Sequence, residues 1–311
     1  MTDVALDRRN AGVVPPVVRP QLGQLLPGYL MMAPGFLLIF GLIAYPFGMS
    51  IYLSLTDANI ATLHEPSFVG LRHYIQLLSD EVFLRAALNS LVFTMSAVIL
   101  KLLLGLGMAH LLFDHFAGRR VVISLLLFAW VAPIALTLLS WLWLLDSMYG
   151  PLNWLLVRSG LMSYGPSWLG DPTLAMVSIV IVNVWRGFAF FGLMILAGML
   201  GIPRTLYEAA ALDGAGPWQR FRLITLPMLR VVLAILFLYA TIFTFNEFAI
   251  VHVLTRGGPQ NATHVFSTLA FQRGIMAGSI GEASAITLYF LPIFLLLSVF
   301  LLRLSSREKQ L

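Results

Sequence analysis

Four charged residues lie inside apolar stretches of the 311-residue sequence: Lys101, Arg186, Glu247 and Glu282. A charge in membrane hydrocarbon costs about 2.5–3.5 kcal/mol on insertion scales, so such residues usually face the interior of a helix bundle. There they can hold a polar solute, pair with each other or carry protons. The sequence leaves open whether Arg186 and Glu247 form an interhelical ion pair or contact a ligand. Lys101 has no predicted partner, and its long side chain favours packing against another subunit or snorkelling over contact with a ligand. Glu282, near the start of an apolar segment, fits an interfacial position.

The sequence lacks the motifs of nucleotide-binding, metal-binding and hydrolytic sites. The two lysines, Lys101 and Lys309, do not follow a G-x-x-x-x-G, so the chain has no P-loop for ATP. H-E-x-x-H and G-x-S-x-G are also absent, and His110 and His115 are five residues apart, which does not place two metal ligands on one helical face. The chain contains no cysteine, and therefore no thiolate nucleophile. We expect no catalytic residue, no metal and no cofactor here, so energy for any active process must come from a partner or an ion gradient.

The composition indicates the solvent in which these residues lie. The sequence is 59% hydrophobic and 11% charged, and its mean hydropathy is +0.89. Each apolar segment exceeds the roughly 20 residues that a helix needs to cross about 30 Å of hydrocarbon. Each must be helical, because an open strand in lipid leaves backbone groups unpaired. We therefore predict an all-α integral membrane protein whose six transmembrane helices lie near residues 29–55, 86–113, 121–145, 173–200, 228–252 and 280–303.

Loop charges and prolines refine this topology. Twelve Lys and Arg residues lie on the side of both termini and five on the other side, so the termini are predicted to be cytoplasmic. The predicted division is a cytoplasmic tail at 1–27, a six-helix transmembrane domain at 28–305 and a cytoplasmic tail at 306–311. Because proline removes a helical hydrogen bond, kinks are expected at the prolines inside three of the helices. These are Pro34, Pro46, Pro133 and Pro292.

The longest polar interruption in the second half of the chain runs from Glu208 to Pro227. Thr205-Leu-Tyr-Glu208 has the form of a capping box, the following residues to Leu212 are rich in Ala and Leu, and Asp213-Gly214 supplies a stop. The pattern predicts a short helix at the cytoplasmic mouth of the bundle, where it can serve as a docking element.

This stretch also carries a family resemblance. Glu208-Ala-Ala, Gly214 and Ile224-Thr-Leu-Pro227 match the EAA---G---------I-LP loop at every marked position. The loop resembles that of the permease subunits of binding-protein-dependent ABC importers. Three further stretches resemble the carbohydrate branch and the larger of its two permease types. They are Phe68-Val-Gly-Leu-Arg-His-Tyr74 with Leu78-Ser-Asp80, Ala44-Tyr-Pro46, and Leu254-Thr-Arg-Gly-Gly-Pro259.

The resemblance assigns two groups of site residues. The loop resembles a coupling helix that enters a cleft on a cytoplasmic ATPase subunit, with Gly214 at a turn that glycine takes without penalty. Its candidate coupling residues are Glu208, Ala209, Ala210, Asp213, Gly214, Arg220 and Arg222. In sugar permeases two helical segments resemble a lining of the substrate site, where aromatic rings beside hydrogen-bonding groups suit a carbohydrate. The matching candidates are Arg186, Gly187, Phe190, Phe243, Thr244 and Glu247.

Arg186 and Glu247 depart from neutral-sugar relatives, in which the equivalent positions are often uncharged. Phe243, Thr244 and Glu247 are spaced so that they can share one helical face.

The resemblance implies the permease subunit of an ATP-driven importer for a sugar or sugar derivative in a bacterial or archaeal inner membrane. Its implied partners are a homologous second permease, two cytoplasmic ATPases that carry ATP and Mg, an extracytoplasmic solute-binding protein and the lipid bilayer, with no nucleic acid. The alternative from the residues is a proton-coupled secondary transporter that uses Glu247, Glu282 and Arg186. An intramembrane hydrolase would need a nucleophile and base that the sequence does not supply.

Overall fold

The computed structural model describes residues 22–62, 65–114 and 116–306 of the chain. Over these residues the secondary structure is helical, apart from one isolated antiparallel bridge between Thr56 and Phe68. The all-helical fold class is therefore confirmed. Most of the two predicted tails, His115 and the charged residues before position 22 and after 306 lie outside the described residues.

The described residues form fifteen α-helices. In chain order they are α1 (Leu22–Ile39), α2 (Tyr45–Ser54), α3 (Arg72–Leu77), α4 (Glu81–Phe113), α5 (Arg119–Val131), α6 (Ile134–Leu144), α7 (Pro151–Arg158), α8 (Pro172–Leu200), α9 (Arg204–Leu212), α10 (Pro217–Arg220), α11 (Leu226–Phe245), α12 (Ala249–Leu254), α13 (Phe266–Phe271), α14 (Ile280–Leu288) and α15 (Leu291–Ser306). Turns of π-helix occupy Phe40–Ala44, Phe221–Thr225 and Gln272–Met276.

The described chain forms two units that divide between Ser50 and Ile51. The first unit contains α1, the π-helical turn Phe40–Ala44 and the start of α2. α1 begins at Leu22, earlier than the tail boundary predicted at residue 27. The π-helical turn lies directly before α2, whose second residue, Pro46, has no N–H to donate to the Leu42 carbonyl, whereas Pro34 lies inside the uninterrupted α1.

Five helical runs of the described residues are long and apolar enough to cross a membrane. They are Leu30–Ser54, Glu81–Phe113, Pro172–Leu200, Pro217–Leu254 and Ile280–Val299. The predicted third span is instead divided at Ala132-Pro133 into α5 and α6, which have 13 and 11 residues. A sixth crossing therefore stays a prediction.

Two of the predicted proline interruptions are confirmed. Pro133 is the N-cap of α6 and follows directly on the end of the α5 segment. Pro292 lies in the first turn of α15, and α14 ends at Leu288, the residue whose carbonyl would otherwise accept from position 292. A further break lies at Asn246–Phe248, between α11 and α12, and the sequence has no proline there that would predict it.

The second unit is built around α4 and α8. Gly105 of α4 lies against Gly192 of α8: a Cβ added at Gly105 would meet the Gly192 nitrogen at 3.0 Å. Glycine at both positions lets the two backbones approach closely, as small residues do in membrane helix pairs. Lys101 lies beside Gly187 one helical turn earlier, so the two helices run parallel. This pairing fixes the register of α4 on α8.

At the end of the bundle where α4 and α8 begin, an ion-pair cluster joins distant segments. Asp80 caps α4 by accepting hydrogen bonds from the backbone N–H groups of Val82 and Phe83. Its other oxygen lies 2.7 Å from Arg273 Nη2, and Arg273 Nη1 lies 3.4 Å from Glu282 in the first turn of α14. Glu282 is thus paired within this cluster.

Candidate functional site

A cavity of about 270 Å³ lies where α4, α8 and α11 meet. All six residues that the sequence proposed as substrate contacts line it. The cavity also has six lining residues that the sequence did not propose. They are Lys101, Trp130, Asn183, Phe191, Tyr239 and Ala240.

Helical spacing explains how two segments supply most of this lining. On α8, Asn183, Arg186, Gly187 and Phe190 fall at positions i, i+3, i+4 and i+7, which share one face. On α11, Tyr239, Phe243 and Thr244 recur at spacings of four and five residues. Glu247 lies just beyond the end of α11, in the break before α12. Tyr239 could have been found from the sequence, since it lies one turn before Phe243.

Lys101 is the main difference from the sequence-based expectation. It is only 6% exposed, and its Nζ donates a hydrogen bond to Thr244 Oγ1 at 3.0 Å. The expectation of snorkelling, or of packing against another subunit, is therefore wrong for this residue. Its ammonium is held inside the chain and also lies 5.9 Å from the ring centroid of Phe191.

Gly187 provides the space that Lys101 occupies. A Cβ at Gly187 would come within 2.7 Å of Lys101 Cε and 3.0 Å of its Cδ. A pattern in the sequence could have revealed the buried face: the α4 residues four apart around Lys101 are small or buried. They are Phe93, Ala97, Gly105 and Ala109.

The ion pair considered for Arg186 and Glu247 does not form between these two side chains. Among the described side chains, ion pairs within 4.0 Å join Arg273 to Asp80 and Glu282, and none joins Arg186 to Glu247. Glu247 Oε1 instead accepts a hydrogen bond from the Ile250 backbone N–H at 3.1 Å.

Two polar atoms in the cavity wall have no hydrogen-bond partner among the described residues. They are Arg186 Nε and Asn183 Oδ1, and both atoms are buried. Buried polar groups in proteins are nearly always hydrogen-bonded, because an unpaired one costs about 1–3 kcal/mol. Both atoms are shielded from the solvent-accessible space of the cavity, so a ligand there reaches them only when the surrounding side chains move.

Aromatic rings form the apolar part of the wall. Trp130 of α5 stacks on Phe190 with ring centroids 5.1 Å apart and an 18° interplanar angle. Tyr239 packs against Phe243 at 4.3 Å and against Phe190 at 5.8 Å. Flat apolar surfaces beside unpaired polar groups can hold a ring that is apolar on its faces and polar at its edge.

The second candidate element is α9, which leads into the turn at Gly214. Gly214 has φ +79°, so the predicted left-handed turn is confirmed. The predicted capping box is wrong, because α9 begins at Arg204 with Pro203 as N-cap and no side-chain cap bond. Thr205 is already inside the helix, since the fixed φ of Pro203 starts it earlier.

The candidate coupling residues lie mainly on the surface of this element. Glu208, Ala209, Asp213, Gly214 and Arg222 are exposed, while Ala210 and Arg220 are half-buried. Leu212, at the tip of α9, is 90% exposed.

Tyr207 fixes α9 to the bundle. Its hydroxyl is hydrogen-bonded to Thr225 Oγ1 at 2.9 Å, and its ring packs 5.9 Å from that of Phe113 at the end of α4. One face of α9 is thus held to the membrane helices, while its tip at Leu212 is exposed.

The chain is similar to proteins of known class. A family profile described as "Binding-protein-dependent transport system inner membrane component" matches residues 101–310. The trehalose/maltose transport system permease protein MalF of Thermococcus litoralis is 36% identical over 84% of this chain and 87% of its own length. The sulfoquinovosyl glycerol transport system permease protein SmoG of Agrobacterium fabrum is 30% identical over 91% of both chains.

A solved structure shows the same fold. The crystal structure of a bacterial ABC transporter involved in the import of the acidic polysaccharide alginate contains a chain that superposes with TM-score 0.74. The match covers 92% of this chain and 96% of that chain at 21% identity.

Proposed function

Because this chain belongs to the family of binding-protein-dependent transport system inner membrane components, we propose that it is the permease subunit of an ATP-driven importer for a sugar or sugar derivative. The cavity carries this proposal. It brings the aromatic rings of Phe190 and Phe243 together with Arg186 and Glu247, all at positions that the resemblance to sugar permeases selected. Relatives named for trehalose/maltose, sulfoquinovosyl glycerol and diacetylchitobiose support a saccharide.

α9 is the proposed site of coupling to the ATPase. Its exposed tip, ending at Leu212 and the Gly214 turn, would insert into a cleft on a cytoplasmic ATPase that carries ATP and Mg. Tyr207 would transmit the movement, because its contacts to Thr225 and Phe113 connect α9 to the starts and ends of the membrane helices. Closing of the ATPases would then switch the cavity between inward and outward access.

The proposed assembly contains a homologous second permease, two ATPases and an extracytoplasmic solute-binding protein. We place it in a bacterial or archaeal inner membrane with both termini in the cytoplasm, from the excess of Lys and Arg on that side. The binding protein would deliver the sugar to the cavity in its outward-open state.

The rival function is proton-coupled secondary transport. The family disfavours it, and the two carboxylates that it needs have structural partners: Glu247 accepts from the Ile250 N–H, and Glu282 pairs with Arg273.

Uptake by the reconstituted four-component importer separates the two functions. We expect uptake to require the ATPase and to be blocked by vanadate. Uptake by the permease alone that a protonophore abolishes would refute the proposal.

A further inference from the structure

The positive and negative side chains that line the cavity do not balance. Lys101 and Arg186 contribute two positive charges and Glu247 one negative charge, so the formal charge of the lining is +1. Charges taken out of water are costly unless they are neutralised by a partner. A ligand of opposite sign would supply the neutralisation that the wall lacks.

The hydrogen bonds show which groups are available. Lys101 has three donor positions, and one is directed to Thr244 Oγ1. Arg186 Nε is buried without a partner among the described residues. The carboxylate of Glu247 accepts a hydrogen bond from the Ile250 N–H, and within the described part of the chain it forms no ion pair with Arg186. The cavity wall therefore holds two cationic side chains against one carboxylate, and that carboxylate already accepts a hydrogen bond from the chain.

Lys101 and Arg186 also line the same cavity. The Lys101 side chain passes over Gly187, the residue next to Arg186, and its Cε lies where it would be 2.7 Å from a Cβ added to that glycine. An anion in the cavity would meet an ammonium and a guanidinium together. Charge-assisted hydrogen bonds from such a pair are about twice as strong as neutral ones.

We infer that the transported sugar carries a negatively charged group, such as a carboxylate or sulfonate, and that Lys101 contacts it together with Arg186. This inference rests on the proposed function and specifies its substrate class. Phe190 and Phe243 would pack on the ring.

The test compares matched sugars that differ by one charge. Hexose and uronate pairs (glucose with glucuronate, galactose with galacturonate, mannose with mannuronate) differ only by oxidation of C6 to a carboxylate. Their dissociation constants are measured by saturation-transfer NMR titration on the complex of permeases and ATPases in nanodiscs, without the binding protein. In the best pair, the uronate is expected to bind at least tenfold more tightly than the hexose.

Two variants assign the preference to Lys101. Lys101→Met, which keeps the length of the side chain, should weaken uronate binding at least tenfold and change hexose binding less than twofold. Gly187→Ala keeps every charge but displaces Lys101, and it should also reduce the uronate preference. The control is Arg158→Gln, which removes one positive charge from an exposed residue of α7 outside the cavity lining and should leave both affinities unchanged.

The outcomes separate this inference from the proposed function. Equal binding of hexose and uronate to the wild type refutes the anionic sugar and leaves sugar import standing. A uronate preference that persists in Gly187→Ala, or equal weakening of both sugars in Lys101→Met, refutes the role of Lys101. If no sugar of either charge binds, the cavity is not a sugar site and both proposals fail.

Discussion

Replacing Gly214 with Val should uncouple ATP hydrolysis from uptake. Gly214 follows the C-cap of α9 and has φ +79°, a conformation that a β-branched residue strongly disfavours. No atom of the described residues lies within 4 Å of a Cβ added at this position. The substitution therefore causes no clash with those residues, and its effect comes from the backbone and from any docked partner.

The backbone cost is about 1–2 kcal/mol for a non-glycine residue in the left-handed region. At 1.4 kcal/mol for each factor of ten, this cost displaces the native turn by roughly 5–30-fold if the turn has an alternative conformation. Gly214→Asn is the matched variant, because asparagine enters the left-handed region more readily than valine. We expect the valine variant to lose most coupling and the asparagine variant to keep more of it.

The assay is vanadate-sensitive uptake per ATP hydrolysed by the reconstituted importer, with copurification of the ATPase as a second measurement. If both variants lose copurification equally, the side chain obstructs a docked partner, which supports docking at α9 but not strain. Wild-type uptake and copurification in Gly214→Val would refute the assignment of α9 as the coupling element.

Three further outcomes are expected. Tyr207→Phe removes the 2.9 Å bond to Thr225 and should lower the stability of the purified permease by about 0.5–1.5 kcal/mol, seen as a lower melting temperature; an unchanged value would show that α9 is held by apolar packing alone. Arg273→Gln removes the ion pairs with Asp80 and Glu282, but these side chains are 21–32% exposed, so the loss of stability should stay within about 1 kcal/mol in the same thermal melt. Burial, and then Arg273, lower the pKa of His264 from its usual 6.5. The unfolded chain binds a proton at His264 more readily than the folded chain does, so the contribution of His264 to stability is present above pH 6.5 and is lost as pH falls below it. His264→Gln should therefore flatten the pH dependence of the melting temperature between about pH 7.5 and about pH 5.5.

The sequence predicted the elements better than their ends. Apolar length located the spans, and the missing N–H group of proline located the breaks at Pro133 and Pro292. Pattern reasoning placed the cap of α9 at Thr205, because a capping-box pattern stands there, whereas the helix already begins at Arg204 with Pro203 as its N-cap. The break at Asn246–Phe248 has no such local signal.

The sequence also predicted only part of the candidate site. The two segments that resemble sugar permeases selected six lining residues, of which five lie on α8 and α11 and Glu247 lies in the break after α11. The sequence did not identify Lys101 and Trp130 as lining residues. They lie on α4 and α5, and the sequence around them does not indicate which residues they contact.

Apolar length alone required helices, because hydrocarbon offers a backbone no other hydrogen-bonding partner. The same chain chemistry determined the turn at Gly214, where a single residue type can adopt the local conformation without strain. Which helical faces meet was decided only by the tertiary structure. The close contact of Gly105 with Gly192 fixes the register of α4 on α8 and brings Lys101 over Gly187 to reach Thr244, 143 positions away in the chain. Such a contact depends on how two surfaces fit, and no local spacing encodes it.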